Sequence, residues 1–131
     1  METFTNNDIM VRHGGKNQGG IRKSVKNHCF VLVINDNVQK YHDTGRFDIM
    51  YQGEFIRGKQ IMEYGNKQLA ECGSDWPLHV YMRTETKTEC TYVYLGEYMK
   101  NGAHIYKNNA YFFPIRRKTP EIVYSFDSFE Y

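Results

Sequence analysis

The run Cys29-Phe30-Val31-Leu32-Val33-Ile34 constrains this chain more than any other feature. A continuous apolar stretch, rich in β-branched residues and bounded by polar neighbours, reads as a buried strand. Asn35-Asp36-Asn37 ends it, and a polar loop with Tyr41, Asp43 and Gly45 follows. Other segments supply partners for the strand. Residues 47–51 alternate apolar and polar side chains, and 78–82 form another strand after Trp76-Pro77. In 91–99, Tyr92, Tyr94 and Tyr98 are expected on one face and Val93, Leu95 and Met99 on the other. Asn101-Gly102 carries a type I′ hairpin signal, returning the chain through His104-Ile105-Tyr106. Residues 110–115 make a further strand before Arg116-Arg117-Lys118.

Residues 59–72 are predicted as the main helix, with Ile61, Met62, Leu69 and Cys72 near one face and Gly73 as its stop. Gly65 inside it costs about 1 kcal/mol against Ala, or marks close packing. Residues 1–20 are polar, with two Gly-Gly pairs, and are expected to order late or on binding. Pro120 opens a tail that reads as an edge strand or the start of a linker. The sum is an α+β fold, a curved and mostly antiparallel sheet or small barrel with one main helix packed against it.

Length fits one domain, since the chain has 131 residues. With 11 Tyr and 8 Phe, the aromatic content suits pleated sheet and flat binding surfaces. No apolar run approaches the roughly 18 residues of a membrane span, and the N-terminus lacks a signal-peptide core. A cytoplasmic protein without membrane association is expected. Cys29, Cys72 and Cys90 include no C-x-x-C pair, and the five histidines are scattered. That pattern argues against a disulfide framework and a structural zinc, so neither metal nor cofactor is expected. The net charge of +2 says little, but residues 11–26 hold Arg12, Lys16, Arg22, Lys23 and Lys26 without an acid. Such a segment can lie along a polyanion or serve as a solvated arm.

Catalytic signatures are sparse. There is no G-x-S-x-G elbow and no phosphate-binding Gly loop. Asp75 with Glu85-x-Lys87 matches the acid and acid-x-Lys spacing by which magnesium nucleases hold metal and activate water. The same spacing arises readily by chance, and 84–89 also reads as a polar hairpin tip. A second set is Tyr41-x-Asp43, Tyr51-Gln52-Gly53 and Gly58-Lys59-Gln60. Two tyrosines can sandwich a flat ring while a carboxylate accepts from an exocyclic amine. Core tyrosines and a turn aspartate are the alternative reading of the same residues.

A succession of blocks adds to this. They are Gly20-Ile21-Arg22-Lys23-Ser24, Val31-Leu32-Val33-Ile34, Tyr41-His42-Asp43, Asp48-Ile49-Met50-Tyr51-Gln52-Gly53-Glu54 and Gly58-Lys59-Gln60. They continue through Asn66-Lys67-Gln68-Leu69-Ala70-Glu71, Leu78-His79-Val80-Tyr81, Tyr92-Val93-Tyr94-Leu95-Gly96-Glu97-Tyr98 and Phe112-Phe113-Pro114-Ile115. In order and spacing the chain resembles the SRA (YDG) family of modified-cytosine readers, especially the SRA-like domains of bacterial modification-dependent HNH endonucleases.

The resemblance implies a PUA-like, SRA-type barrel over 19–118, with a polar arm over 1–18 and a tail or linker over 119–131. It implies duplex DNA carrying 5-methyl- or 5-hydroxymethylcytosine as partner, with the base flipped into a pocket. Extrusion costs a few kcal/mol, which stacking and edge hydrogen bonds offset. The implied pocket residues are Tyr41 and Tyr51 as stacking walls, Asp43 as acceptor for cytosine N4, and Gln52 and Gly53 near the 5-substituent. Arg57 is implied as the duplex-inserting residue, and Arg22, Lys23, Ser24, Lys26, Lys59 and Lys67 as phosphate contacts. Gln52 stands where the family usually has Thr, and Lys59 replaces the acid of its Gly-Asp-Gln. No His-Asn-His nuclease pattern follows the barrel, so the chain reads as a non-catalytic reader, free-standing or joined to a nuclease domain in its parent protein. An RNA-reading PUA-like domain and the small magnesium nuclease are the alternatives.

Overall fold

Residues Cys29–Asn35 form a strand buried on both sides. Phe30, Leu32 and Ile34 enter one apolar cluster, and Val31 and Val33 enter another. An unbroken apolar run is what a strand with two covered faces requires. The computed structural model describes residues 2–16, 18–35 and 47–119. Within them the order is α1 (Asn6–His13), β1 (Ile21–Ser24), β2 (Cys29–Asn35), β3 (Asp48–Gln52), α2 (Tyr64–Glu71), β4 (Leu78–Glu85), β5 (Cys90–Lys100), β6 (Ile105–Lys107) and β7 (Ala110–Arg117).

The strands form a curled, mixed half-barrel in the order β1-β2-β4-β5-β7-β3, with β6 paired to β7. Neighbours are antiparallel except β2 and β4, which run parallel with Leu32 opposite Val80. The larger core, inside the curl, gathers Ile21, Leu32, Ile49, Tyr51, Val80 and Phe113 under Leu69 of α2. The smaller core lies on the other face of the sheet, where Ile9 of α1 meets Val31, Val33, Tyr81 and Tyr92.

Strand β5 serves both cores because its register with β4 shifts between Val80 and Tyr81. Gly96, at φ 120°, supplies the backbone freedom at this irregularity. Tyr92 and Tyr94 therefore pack in the smaller core, whereas Tyr98 and Leu95 pack in the larger. Simple alternation had put all three tyrosines on one face; the bulge changes the parity between Tyr94 and Tyr98.

Two helices are present among the described residues, where one was expected. Thr5 caps α1 through its Oγ1, which accepts from Asp8 N–H, while the Asp8 carboxylate accepts from Thr5 N–H. This capping box and the fully buried Ile9 fold the first half of the expected mobile arm against the sheet. Helix α2 begins at Tyr64 rather than at residue 59, because Lys59 already closes a tight turn with Ile56. The type I′ geometry also moves. Residues Asn108 and Asn109, at φ 53° and 61°, join β6 to β7, while β5 pairs with β7 rather than with β6. Residues 121–131, expected as an edge strand or linker, lie outside the described residues.

Candidate nucleic-acid interface

At the carboxyl ends of β2, β3 and β4 the sheet opens into a cavity of about 600 Å³. Its lining includes Gly19, Gly20, Val33, Asn35, Tyr51, Gln52, Gly53, Glu54 and Phe55, with Asn6, Arg22, Arg83, Cys90 and Tyr92 completing the wall. The size falls in the range of small-molecule sites. Phe55 is 53% exposed, a flat apolar side chain available to a ligand.

The rim is held by side chains that bond to backbone. Asn66 is fully buried at the start of α2; its Oδ1 accepts from Glu54 N–H, and its Nδ2 donates to the carbonyls of Glu54 and Ile61. Gln60 Nε2 donates to Gly53 O at 2.7 Å, and its Oε1 accepts from Tyr111 N–H at 3.0 Å. The Glu54 carboxylate accepts from the N–H groups of Gly20 and Ile21 at 2.9 and 3.0 Å. The segment leaving β3 is thereby fixed to α2, to β7 and to the chain entering β1. None of these three residues was assigned this role from sequence, since each partner is a backbone group made neighbour only by folding.

Beyond Glu54 the chain makes a tight turn. Ile56 and Lys59 exchange both backbone hydrogen bonds, at 2.7 and 3.1 Å, with Arg57 at φ 54° and Gly58 at φ 79° between them. Positive φ at both central residues defines a type I′ turn. Arg57, Gly58 and Lys59 are all exposed there, beside the cavity mouth at Phe55.

The sequence-derived site residues divide into groups. Tyr51, Gln52 and Gly53 come together with Arg22 around the cavity, but Tyr51 does not present a stacking face. Its ring is fully buried in the larger core and its hydroxyl donates to Gly20 O at 2.8 Å, with Val33 O at 3.2 Å. Tyr51 is the floor of the cavity rather than a wall. Arg22 and Ser24 are not surface phosphate contacts either, being 3% and 2% exposed. Arg22 donates to Gly19 O and Asn6 Oδ1, and Ser24 Oγ accepts from Asn27 N–H. Both lie on the face of β1 opposite Ile21, where the segment carrying α1 covers them through Asn6 and Gly14. Lys23 lies over the Trp76 ring at 5.3 Å, and Lys26 is exposed in the turn after β1, away from the cavity end of that strand. Lys67 is exposed on α2. Tyr41 and Asp43 lie outside the described residues.

Asp75, Glu85 and Lys87 do not converge. Asp75 precedes β4 and faces His28 at 3.6 Å, whereas Glu85 ends β4 and pairs with Arg83 at 3.4 Å. The intervening strand is roughly 23 Å long at 3.3 Å per residue, too far for one metal. The histidines and cysteines, scattered in sequence, do converge at one place: His13, Cys29 and His79 bring ligand atoms within 4.8 Å of one another.

A curled mixed half-barrel sheet with two helices packed on it is the PUA-like architecture of SRA type. Residues 2–101 match the model of the ScoMcrA-like SRA domain, and the chain belongs to that family. Among solved structures it is similar to the SRA domain of SUVH5 in complex with hemi-methylated CG DNA, with TM-score 0.64 and 18% identity over 93% of this chain and 88% of that one. It is also similar to the sulfur binding and SRA domains of ScoMcrA complexed with phosphorothioated DNA, with TM-score 0.60 and 17% identity over 92% of this chain and 40% of that one. SUVH6 of Arabidopsis thaliana gives TM-score 0.55 and 20% identity, covering 92% of this chain and 25% of that one. No curated protein sequence matches. No helix among the described residues is long and apolar enough to cross a membrane.

Proposed function

We propose that this chain reads duplex DNA carrying a 5-modified cytosine by accepting the flipped base in the cavity between Gly19-Gly20 and Gln52–Phe55. The observation that carries this reading is the pairing of an open cavity with a rigid exposed turn beside its mouth. Flipping needs both, a receptacle for the base and something to occupy the space it leaves. Arg57 at the turn tip takes the second role. Phe55 supplies the stacking face that Tyr51 does not, and Gln52 and Gly53 lie where the 5-substituent would rest. Asp43 and Tyr41, in the sequence that follows cavity-lining Asn35, are proposed as the N4 acceptor and second wall. Lys59 and Lys67 are the proposed phosphate contacts.

The match to the ScoMcrA-like SRA family, whose namesake is described as a phosphorothioation-dependent restriction endonuclease, supports reading the chain as the recognition module of a modification-dependent restriction endonuclease rather than as its catalyst. Fluorescence anisotropy tests the reading with one duplex carrying cytosine, methylcytosine, hydroxymethylcytosine or glucosylated hydroxymethylcytosine at about 150 mM salt. At least tenfold tighter binding of one modified form, about 1.4 kcal/mol, is expected. Equal affinity for all four overturns it.

A further inference from the structure

On the sheet face opposite the larger core, His13, Cys29 and His79 come from α1, β2 and β4. We propose that these three side chains form a binding site for a zinc-class divalent ion, with water completing the coordination shell.

Two imidazoles and a thiolate are the ligand types that borderline-soft zinc prefers, and three protein ligands with an open fourth position is an established arrangement for it. The second shell is already built. Tyr81 Oη lies 2.7 Å from His13 Nε2, and Tyr94 Oη lies 2.9 Å from His79 Nδ1. Each tyrosine thus orients one ring through one nitrogen, leaving His13 Nδ1 and His79 Nε2 for an ion, as outer-shell partners of metal-bound histidines do. Cys29 Sγ lies 3.8 Å from His13 O, at the same corner of this face.

Burial, helped by His79 and Arg12, pushes the His13 pKa down to about 4, and burial lowers that of His79 against the opposing Glu97 charge; both shifts favour the neutral imidazole, the form that ligates. The Cys29 thiol is raised by burial, and zinc binding would release its proton to solvent. The rings now stack face to face, 4.1 Å apart at 20°. Zinc ligands in a tetrahedron lie roughly 3.3–3.8 Å apart, and each of the three residues already offers a ligand atom within 4.8 Å of the others, so binding draws the side chains together by rotation out of that stack. The ion would tie the carboxyl end of α1 to the sheet. That helix carries Asn6 into the cavity wall, so the site would brace the cavity from behind. The proposal is independent of what the cavity binds.

The test uses the full chain, stripped of metal and kept reduced without a chelating thiol. Titration with Zn²⁺ by calorimetry is expected to show one ion per chain and a Tm that climbs with the logarithm of free zinc. Co²⁺ substitution is expected to give a thiolate-to-cobalt charge-transfer band. Cys29→Ser is expected to abolish the band and weaken zinc binding at least 100-fold, while Cys72→Ser leaves both. Circular dichroism establishes that Cys29→Ser is folded; if it is not, His79→Gln serves in its place, with the same loss expected. No zinc uptake by the folded wild-type chain, or uptake undiminished in the folded variant, overturns the proposal.

Discussion

Asn66 binds both backbone groups of Glu54, accepting its N–H at 2.8 Å and donating to its carbonyl at 3.0 Å. A side-chain amide here does the work of a neighbouring strand, at the point where the chain leaves β3 and has no strand to pair with. The cavity rim and the Arg57 turn both hang from this junction.

Asn66→Ala is expected to destabilise the fold by about 2–3 kcal/mol, because backbone groups at Glu54 and Ile61 lose their partners. Asn66→Asp keeps the acceptor for Glu54 N–H but sets an anion against two carbonyls, so it is expected to be no better. Urea denaturation measures both; a change within about 0.5 kcal/mol for either variant would remove Asn66 from this role.

Gly53→Ala tests the same junction by crowding. A Cβ at Gly53 would stand 2.5 Å from Asn66 Oδ1 and 3.1 Å from Gln60 Oε1, the two groups that fix the rim. The expected outcome is weaker discrimination between modified and unmodified duplexes, together with a lower Tm. Preserved discrimination in the anisotropy assay would separate the rim geometry from recognition.

Arg57 and Phe55 have exposed side chains, so truncating them isolates function from stability. Arg57→Ala and Phe55→Ala are each expected to shift unfolding free energy by less than about 0.5 kcal/mol. Phe55→Ala is expected to weaken binding of modified DNA by about 1–3 kcal/mol, the value of one stacked base. Arg57→Ala is expected to lower the fraction of flipped base, read by 2-aminopurine fluorescence beside the target cytosine. Unchanged fluorescence would leave the tip outside the duplex.

The metal-free chain should lose stability on acidification. His13 titrates near pH 4 when folded and near 6.5 when unfolded, so between those values the unfolded state binds the extra proton. This contribution is whole above about pH 6.5 and disappears as pH falls toward 4. Arg12, Cys29, His79, Tyr81, Tyr94 and Glu97 are charged or titratable neighbours in this face. His13→Gln should flatten the slope of Tm against pH in that window; an unchanged slope would assign it elsewhere.

Much of the sheet was legible because apolar patterning carries it. Cys29–Asn35, Asp48–Gln52 and Ala110–Arg117 lie where alternation or apolar runs put strands. Helix α1 was not legible by that rule, since Ile9 is its single buried apolar residue; the Thr5-x-x-Asp8 cap was the available signal. Strand β1 is short and basic, and its role in burying Arg22 depends on Asn6 and the Gly19 carbonyl. Gly65 was legible as close packing. A Cβ there would collide with Glu54 Oε1 and lie 3.0 Å from Ile21 Cβ. The Asn66, Gln60 and Glu54 contacts join residues that are polar in sequence and buried only by tertiary structure. The same holds for His13, Cys29 and His79, whose separation along the chain hides their meeting in space.

The parallel pairing of β2 with β4 also bears on the order in which the molecule assembles. Hairpins β1–β2, β4–β5 and β6–β7 join segments close in sequence, and such contacts form early. Residues 30 and 78 meet only after the long intervening segment has closed, a slow step because its entropy is lost before contacts return it. The cavity is built from both sides of that closure. The cavity is therefore expected to be completed last, and partly folded forms, however sheet-rich, would lack a receptacle for any ligand.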